Sequence, residues 1–151
     1  LNFNPDGTIL KVIPTLRGVG LTKARSRIQI DRYSALQGKG IGIEYLDKNN
    51  CFAGWKTLFS KSNTVLIYNK VDFGNEKVEE ITVRAKSSKG GVLVVRADGK
   101  KGNIIAKVKI PKSAAWKNIR AQVLHAPQGV HALHVSLQSG ADVEVDWLGF
   151  I

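Results

Sequence analysis

Two carboxylates stand two residues apart near the end of the chain, Glu144 and Asp146 in "DVEVDWLGF". On an extended strand residues i and i+2 share a face, with Cα atoms roughly 6.5 Å apart. That spacing suits a glycosidase acid/base pair, metal ligation, contact with a ligand, or a solvated acidic face. Retaining glycosidases need carboxyl groups about 5–5.5 Å apart and inverting ones about 6.5–9.5 Å, so distance alone leaves hydrolysis open. Such pairs normally come from different strands across a deep cleft, and nothing else in the chain supplies activation.

The other reactive side chains form no convincing constellation. His131 and His134, three apart on a strand, are expected on opposite faces and cannot aim at one ion. Cys51 is the single cysteine, which excludes an internal disulfide framework and a cysteine-cluster metal site. Asp98-Gly99 and Gly90-Gly91 read as hairpin turns, since no helix follows whose N-terminus would hold a phosphate. The 23 Lys and Arg against 12 Asp and Glu leave a net charge of +11, which suits an anionic partner. These cations are scattered, with Lys100-Lys101 the one close doublet, so a nucleic-acid interface is not expected.

At 151 residues the chain fits one core, and 43% apolar residues are enough to build it. No apolar run approaches the ~18 residues of a membrane span. The absence of methionine, even at position 1, is what a piece of a longer protein would show.

From Arg27 onward, short period-two runs alternate with turn signals. Strands are expected near 27–33, 40–46, 52–57, 64–73, 78–87, 91–97, 104–110, 119–125, 131–137 and 143–150. The separators are turn-rich, among them "DKNN", "FGNE", "SSKGG", "PKSAA" and "QSGAD". In "TVLIYNKVDFG" both faces are largely apolar: Val65, Ile67, Asn69 and Val71 on one, Leu66, Tyr68 and Lys70 on the other. That marks a central strand between two packed layers. The expected fold is therefore all-β, an antiparallel sandwich. Residues 1–24, with an Asn-Pro-Asp-Gly turn, Pro14 and several glycines, read instead as a linker or docking tail, leaving residues 25–151 as the module.

Read in order, these segments resemble a carbohydrate-binding module of family 6, a jelly-roll, lectin-like β-sandwich. "RIQIDRYS" is similar to its opening strand and "TVLIYNKVDFG" to its Gly-Asp-Trp-x-x-Tyr-x-x-Val-Asp-Phe-Gly strand. "GVHALHVSLQ" and "VEVDWLGF" are similar to its last two strands. The tail "NPDGTILKVIPT" resembles the segment that joins a family 43 glycoside hydrolase to such a module.

The resemblance implies a non-catalytic module that binds polysaccharide of the xylan, arabinoxylan or arabinan type. It also implies an upstream glycosidase partner and a secreted, periplasmic or cell-surface setting. An inter-domain structural module with little glycan affinity is the alternative. A sugar would lie between two aromatics: Trp116, expected in a loop, and Trp55, with Tyr45 and Phe52 as alternatives. Glu144 stands where relatives carry an Asn; it accepts hydrogen bonds from hydroxyls but does not donate them. Val65 and Thr64 replace the Trp and Asp of the family's Gly-Asp-Trp motif, which weakens a second, cleft-type site. A structural calcium would fall to Gln29, Asp31 and Asp146.

Overall fold

The computed structural model describes residues 3–11, 15, 16, 18 and 20–151. Among them twelve strands form and no helix: β1 (Thr22–Lys23), β2 (Ile28–Gln29), β3 (Ala35–Gln37), β4 (Ile41–Asp47), β5 (Asn50–Phe59), β6 (Val65–Asp72), β7 (Glu80–Ser87), β8 (Gly91–Ala97), β9 (Ile104–Ile110), β10 (Ser113–Gln122), β11 (Val130–Gly140) and β12 (Val143–Phe150). One sheet runs β1-β6-β11-β8-β9, with β3 also on β6; the other runs β10-β7-β12-β5-β4, with β2 on β12. All pairings are antiparallel except β1 on β6. The expected sandwich is the fold found.

Between the sheets lies one apolar core, including Phe59, Leu66, Tyr68, Ile81, Leu93, Leu133, Val145 and Phe150. Phe73 meets Phe150 edge-on at 5.2 Å. The buried Tyr68 hydroxyl donates to the Ile30 carbonyl at 2.6 Å, so this polar group enters the core with a partner. Strand β6 is central, as its two apolar faces require. Strict alternation fails within it, however: the register slips opposite His131–Leu133, and Val71 joins Leu66 and Tyr68 in the core.

Three departures from the sequence reading matter for function. Strand β10 begins at Ser113, where "PKSAA" reads as a loop, and Trp116 lies on the strand. Between the pairs Ser113–Ser87 and Lys117–Ala85, the three residues 114–116 oppose Lys86 alone, a bulge that erases period two. In β12, Val145 pairs with Ala85 and Trp147 with Arg84, so Asp146 is the extra residue of a second bulge. The opening strand shrinks to two residues, because β2 joins β12 only at Ile28–Leu148 and Gln29–Trp147, after β5 has diverged.

The tail's Asn-Pro-Asp-Gly turn forms: the Gly7 N–H donates to the Asn4 carbonyl at 2.9 Å, and Phe3 bridges Ile9. Residues 1, 2, 12–14, 17 and 19 of the expected tail, Pro14 among them, lie outside the described residues. Thr22–Ala24, assigned above to the tail, are already in the sandwich: β1 joins β6 and Ala24 is fully buried. At the opposite hairpin end Gly140 takes φ +90°, and a Cβ there would lie 2.3 Å from the Gly90 carbonyl oxygen. Only glycine fits this close passage.

His131 ties β11 to the β8–β9 turn. Its Nδ1 lies 2.6 Å from the Asp98 carboxylate, and its Nε2 is 2.9 Å from the Gln128 carbonyl. The hydrogen bond to Asp98 raises the His131 pKa above its ordinary value. For a raised histidine the stabilisation is complete below the unfolded value, about 6.5, and is lost as pH rises through the folded one. Thermal melts of wild type and His131→Gln should therefore differ most at about pH 5–6 and converge towards pH 9. The difference should be about 0.5 kcal/mol, since the pair is partly exposed; a gap independent of pH would contradict this.

Candidate functional site

The outward face of the second sheet carries a line of charge and aromatic surface. Alternation sends Val83 and Ala85 of β7 into the core and leaves Arg84 and Lys86 outward. The bulge of β10 lays the Trp116 ring against both: the Arg84 guanidinium is 5.1 Å from the ring centroid and the Lys86 ammonium 5.2 Å. A partly exposed indole held on two cations is a fixed, flat apolar platform.

Lys86 links this platform to Glu144, its cross-strand partner on β12, at 3.3 Å. Lys56 of β5 hydrogen-bonds the same Glu144 oxygen and lies 3.5 Å from Glu44 of β4. Burial alone would lower the Lys56 ammonium, but the bond to Glu144 and the charges of Glu144 and Glu44 raise it above its ordinary value. Glu144 is thus held as an acceptor between two lysines.

Trp55, expected to face Trp116 across a sugar, and Tyr45, its alternative, lie side by side. They are cross-strand partners in the β4–β5 hairpin and stack on each other at 4.3 Å, each 41% exposed. Trp55 lines a groove of about 480 Å³ with Arg84, Asn118, Asp146 and Trp147, and Tyr45 stacks on its ring. Phe52, at the hairpin tip, is 96% exposed.

The residues expected to hold calcium do come together, since Gln29, Asp31 and Asp146 line that groove. In this structure one of the three is paired with an arginine instead. Asp146 is 5% exposed, and Arg84 of the adjacent strand hydrogen-bonds and ion-pairs with its carboxylate. A guanidinium in contact with one ligand opposes a divalent cation at that position. Among the described residues no group of three or more His, Cys, Asp or Glu is arranged to hold a metal. Sequence reasoning missed Arg84, whose partner is 62 residues away, because only the register of β7 on β12 reveals the pair. A melting temperature unchanged by chelator or by millimolar calcium is expected; a fall of several degrees with chelator would contradict this.

The pairing also separates the two carboxylates. Glu144 belongs to Lys56 and Lys86, Asp146 to Arg84, and neither is left as an acid/base partner for the other.

Comparison with known proteins agrees with this fold. The profile of the carbohydrate binding module (family 6) matches residues 35–151. No curated protein matches the chain in sequence. Among solved structures, CsCBM6-3 from Clostridium stercorarium in complex with cellobiose superposes with a TM-score of 0.76 at 20% identity, over 87% of this chain and 96% of that one. A family 6 module from Clostridium cellulolyticum in complex with xylose does so at 0.75 and 24% identity, over 86% and 99%. A family 43 arabinoxylan arabinofuranohydrolase from Bacillus subtilis, in complex with cellotetraose, also gives 0.75, at 19% identity, over 99% of this chain and 32% of that one.

Proposed function

Since the chain belongs to family 6 of the carbohydrate-binding modules, which bind sugars and are not enzymes, we propose that it binds polysaccharide on the outward face of its second sheet. The observation that carries this reading is the Trp116 ring, held on Arg84 and Lys86 beside Glu144. A pyranose presents axial C–H groups on one side, which suit a flat aromatic face. Its equatorial hydroxyls then donate to the Glu144 carboxylate and accept from Lys86. Trp55, backed by Tyr45, would form the further wall.

The ligand we favour is a plant-type chain of the xylan, arabinoxylan or arabinan class, and the module would serve to attach a glycan-degrading enzyme to it. Support comes from the xylose bound by the Clostridium cellulolyticum module. The likeness to the Bacillus subtilis arabinofuranohydrolase also extends over 99% of this chain, whereas the isolated modules cover 86–87%. The tail would then be the junction to an upstream glycosidase in a secreted, periplasmic or cell-surface protein. Among the described residues no helix is long and apolar enough to cross a membrane.

Affinity electrophoresis in gels containing xylan, arabinan or β-glucan tests the reading. Retardation is expected in the xylan or arabinan gel; unchanged migration in all three would overturn it.

A second reading, an inter-domain module with little glycan affinity, has two observations in its favour. Glu144 is already engaged by lysines, and the tail exposes Phe3, Ile9, Leu10, Leu16 and Leu21. Unchanged migration is the result it predicts.

A further inference from the structure

We propose that the groove that shares Arg84 with the Trp116 platform accepts a carboxylate-bearing sugar, a uronic acid, as a second contact of the glycan. This rests on the glycan-binding reading above and adds the chemical class of the substituent. The groove opens where the β4–β5 hairpin leaves β12 and the segment after β2 takes its place.

Its three guanidiniums are not equivalent. Arg84 is neutralised by Asp146. Arg27 lies 4.9 Å over the Trp147 ring, and among the described residues it has no salt-bridge partner. A guanidinium over an indole ring keeps its N–H donors available at its edges, which suits a planar carboxylate. Arg32 also has no salt-bridge partner among the described residues; the charge it acts on is that of the half-buried Asp31 beside it. The lining therefore carries three positive groups against two negative, of which one pair is closed. Trp55 and Trp147 supply apolar surface for a ring, and the +11 net charge draws an anionic polymer towards it. A neutral sugar would leave the Arg27 guanidinium unused and the lining with a net positive charge.

Calorimetric titration of the intact chain decides the matter. The probes are xylo-oligosaccharides carrying glucuronic acid and the same oligosaccharides after carboxyl reduction. The acidic ligand should bind about tenfold tighter at low ionic strength, with much of that margin gone at about 0.5 M salt. The double variant Arg27→Gln/Arg32→Gln should bring the acidic ligand down to the neutral ligand's affinity. Arg27→Lys, which keeps the charge but loses the fork, should lose part of the margin. Equal affinities for the two ligands, or a margin that survives the double substitution, would overturn the inference while the glycan-binding reading stands. A sulfated oligosaccharide of equal charge binding as tightly would also overturn it, since attraction would then be to any polyanion. Binding of neither xylo-oligosaccharide would instead remove the reading beneath it.

Discussion

Trp116→Ala should weaken glycan binding about thirtyfold or more, about 2 kcal/mol, and leave the melting temperature nearly unchanged. The ring lies on an edge-strand bulge, outside the core between the sheets, and its neighbours are the side chains of Arg84 and Lys86. Removing it uncovers two hydrophilic groups to water, which costs the fold little. Removing it from a bound sugar takes away the flat apolar contact that desolvates the pyranose face. Trp116→Phe should retain a measurable part of the affinity, because a smaller aromatic face remains. Wild-type retardation by the alanine variant would show that the sugar sits elsewhere. A melting temperature lower by many degrees would show that the ring serves the fold instead.

The largest stability effect is expected at Arg84, which acts on two fronts. Arg84→Gln strands the carboxylate of Asp146, a residue 5% exposed, and breaking a buried pair by removing one partner costs about 3 kcal/mol. In a domain of 151 residues that corresponds to a fall in melting temperature of about 6–12 °C. Asp146→Asn should cost less, because the Arg84 side chain is 32% exposed and can turn to water. The double variant Arg84→Gln/Asp146→Asn should be more stable than Arg84→Gln alone, since no charge is then left uncompensated. Additive losses in the double variant, or a single Arg84→Gln variant melting within about 2 °C of wild type, would contradict the pairing.

Most of the β architecture was legible in the residues, and the exceptions have physical causes. Strands β8, β9 and β12 are bounded by turn chemistry and occupy the expected ranges. Strands β1 and β3, two and three residues long, are too short to carry a period. Trp116 reads as a loop residue because three residues of β10 oppose one of β7 at that point. Glu144 and Asp146 look equivalent by alternation, yet the register puts two lysines on Glu144 and Arg84 on Asp146. That choice belongs to the cross-strand register, which local pattern does not encode. The calcium expectation followed from three residue identities that do converge. What opposes it is a fourth, Arg84, which pairs with Asp146 and lies on a strand with no sequence signal for the site.

The central claim, that sugar is held on the outward face of the second sheet, is tested most directly by a two-dimensional ¹⁵N–¹H titration with xylo-oligosaccharide. The chain has three tryptophans, so three indole resonances report separately. The Trp116 indole and the amides of Lys86 and Glu144 should shift and saturate together, while Val65, Val94 and Ser136, which line a groove on the first sheet, stay still. Shifts confined to Val65, Val94 and Ser136, or none with any glycan, would contradict the account.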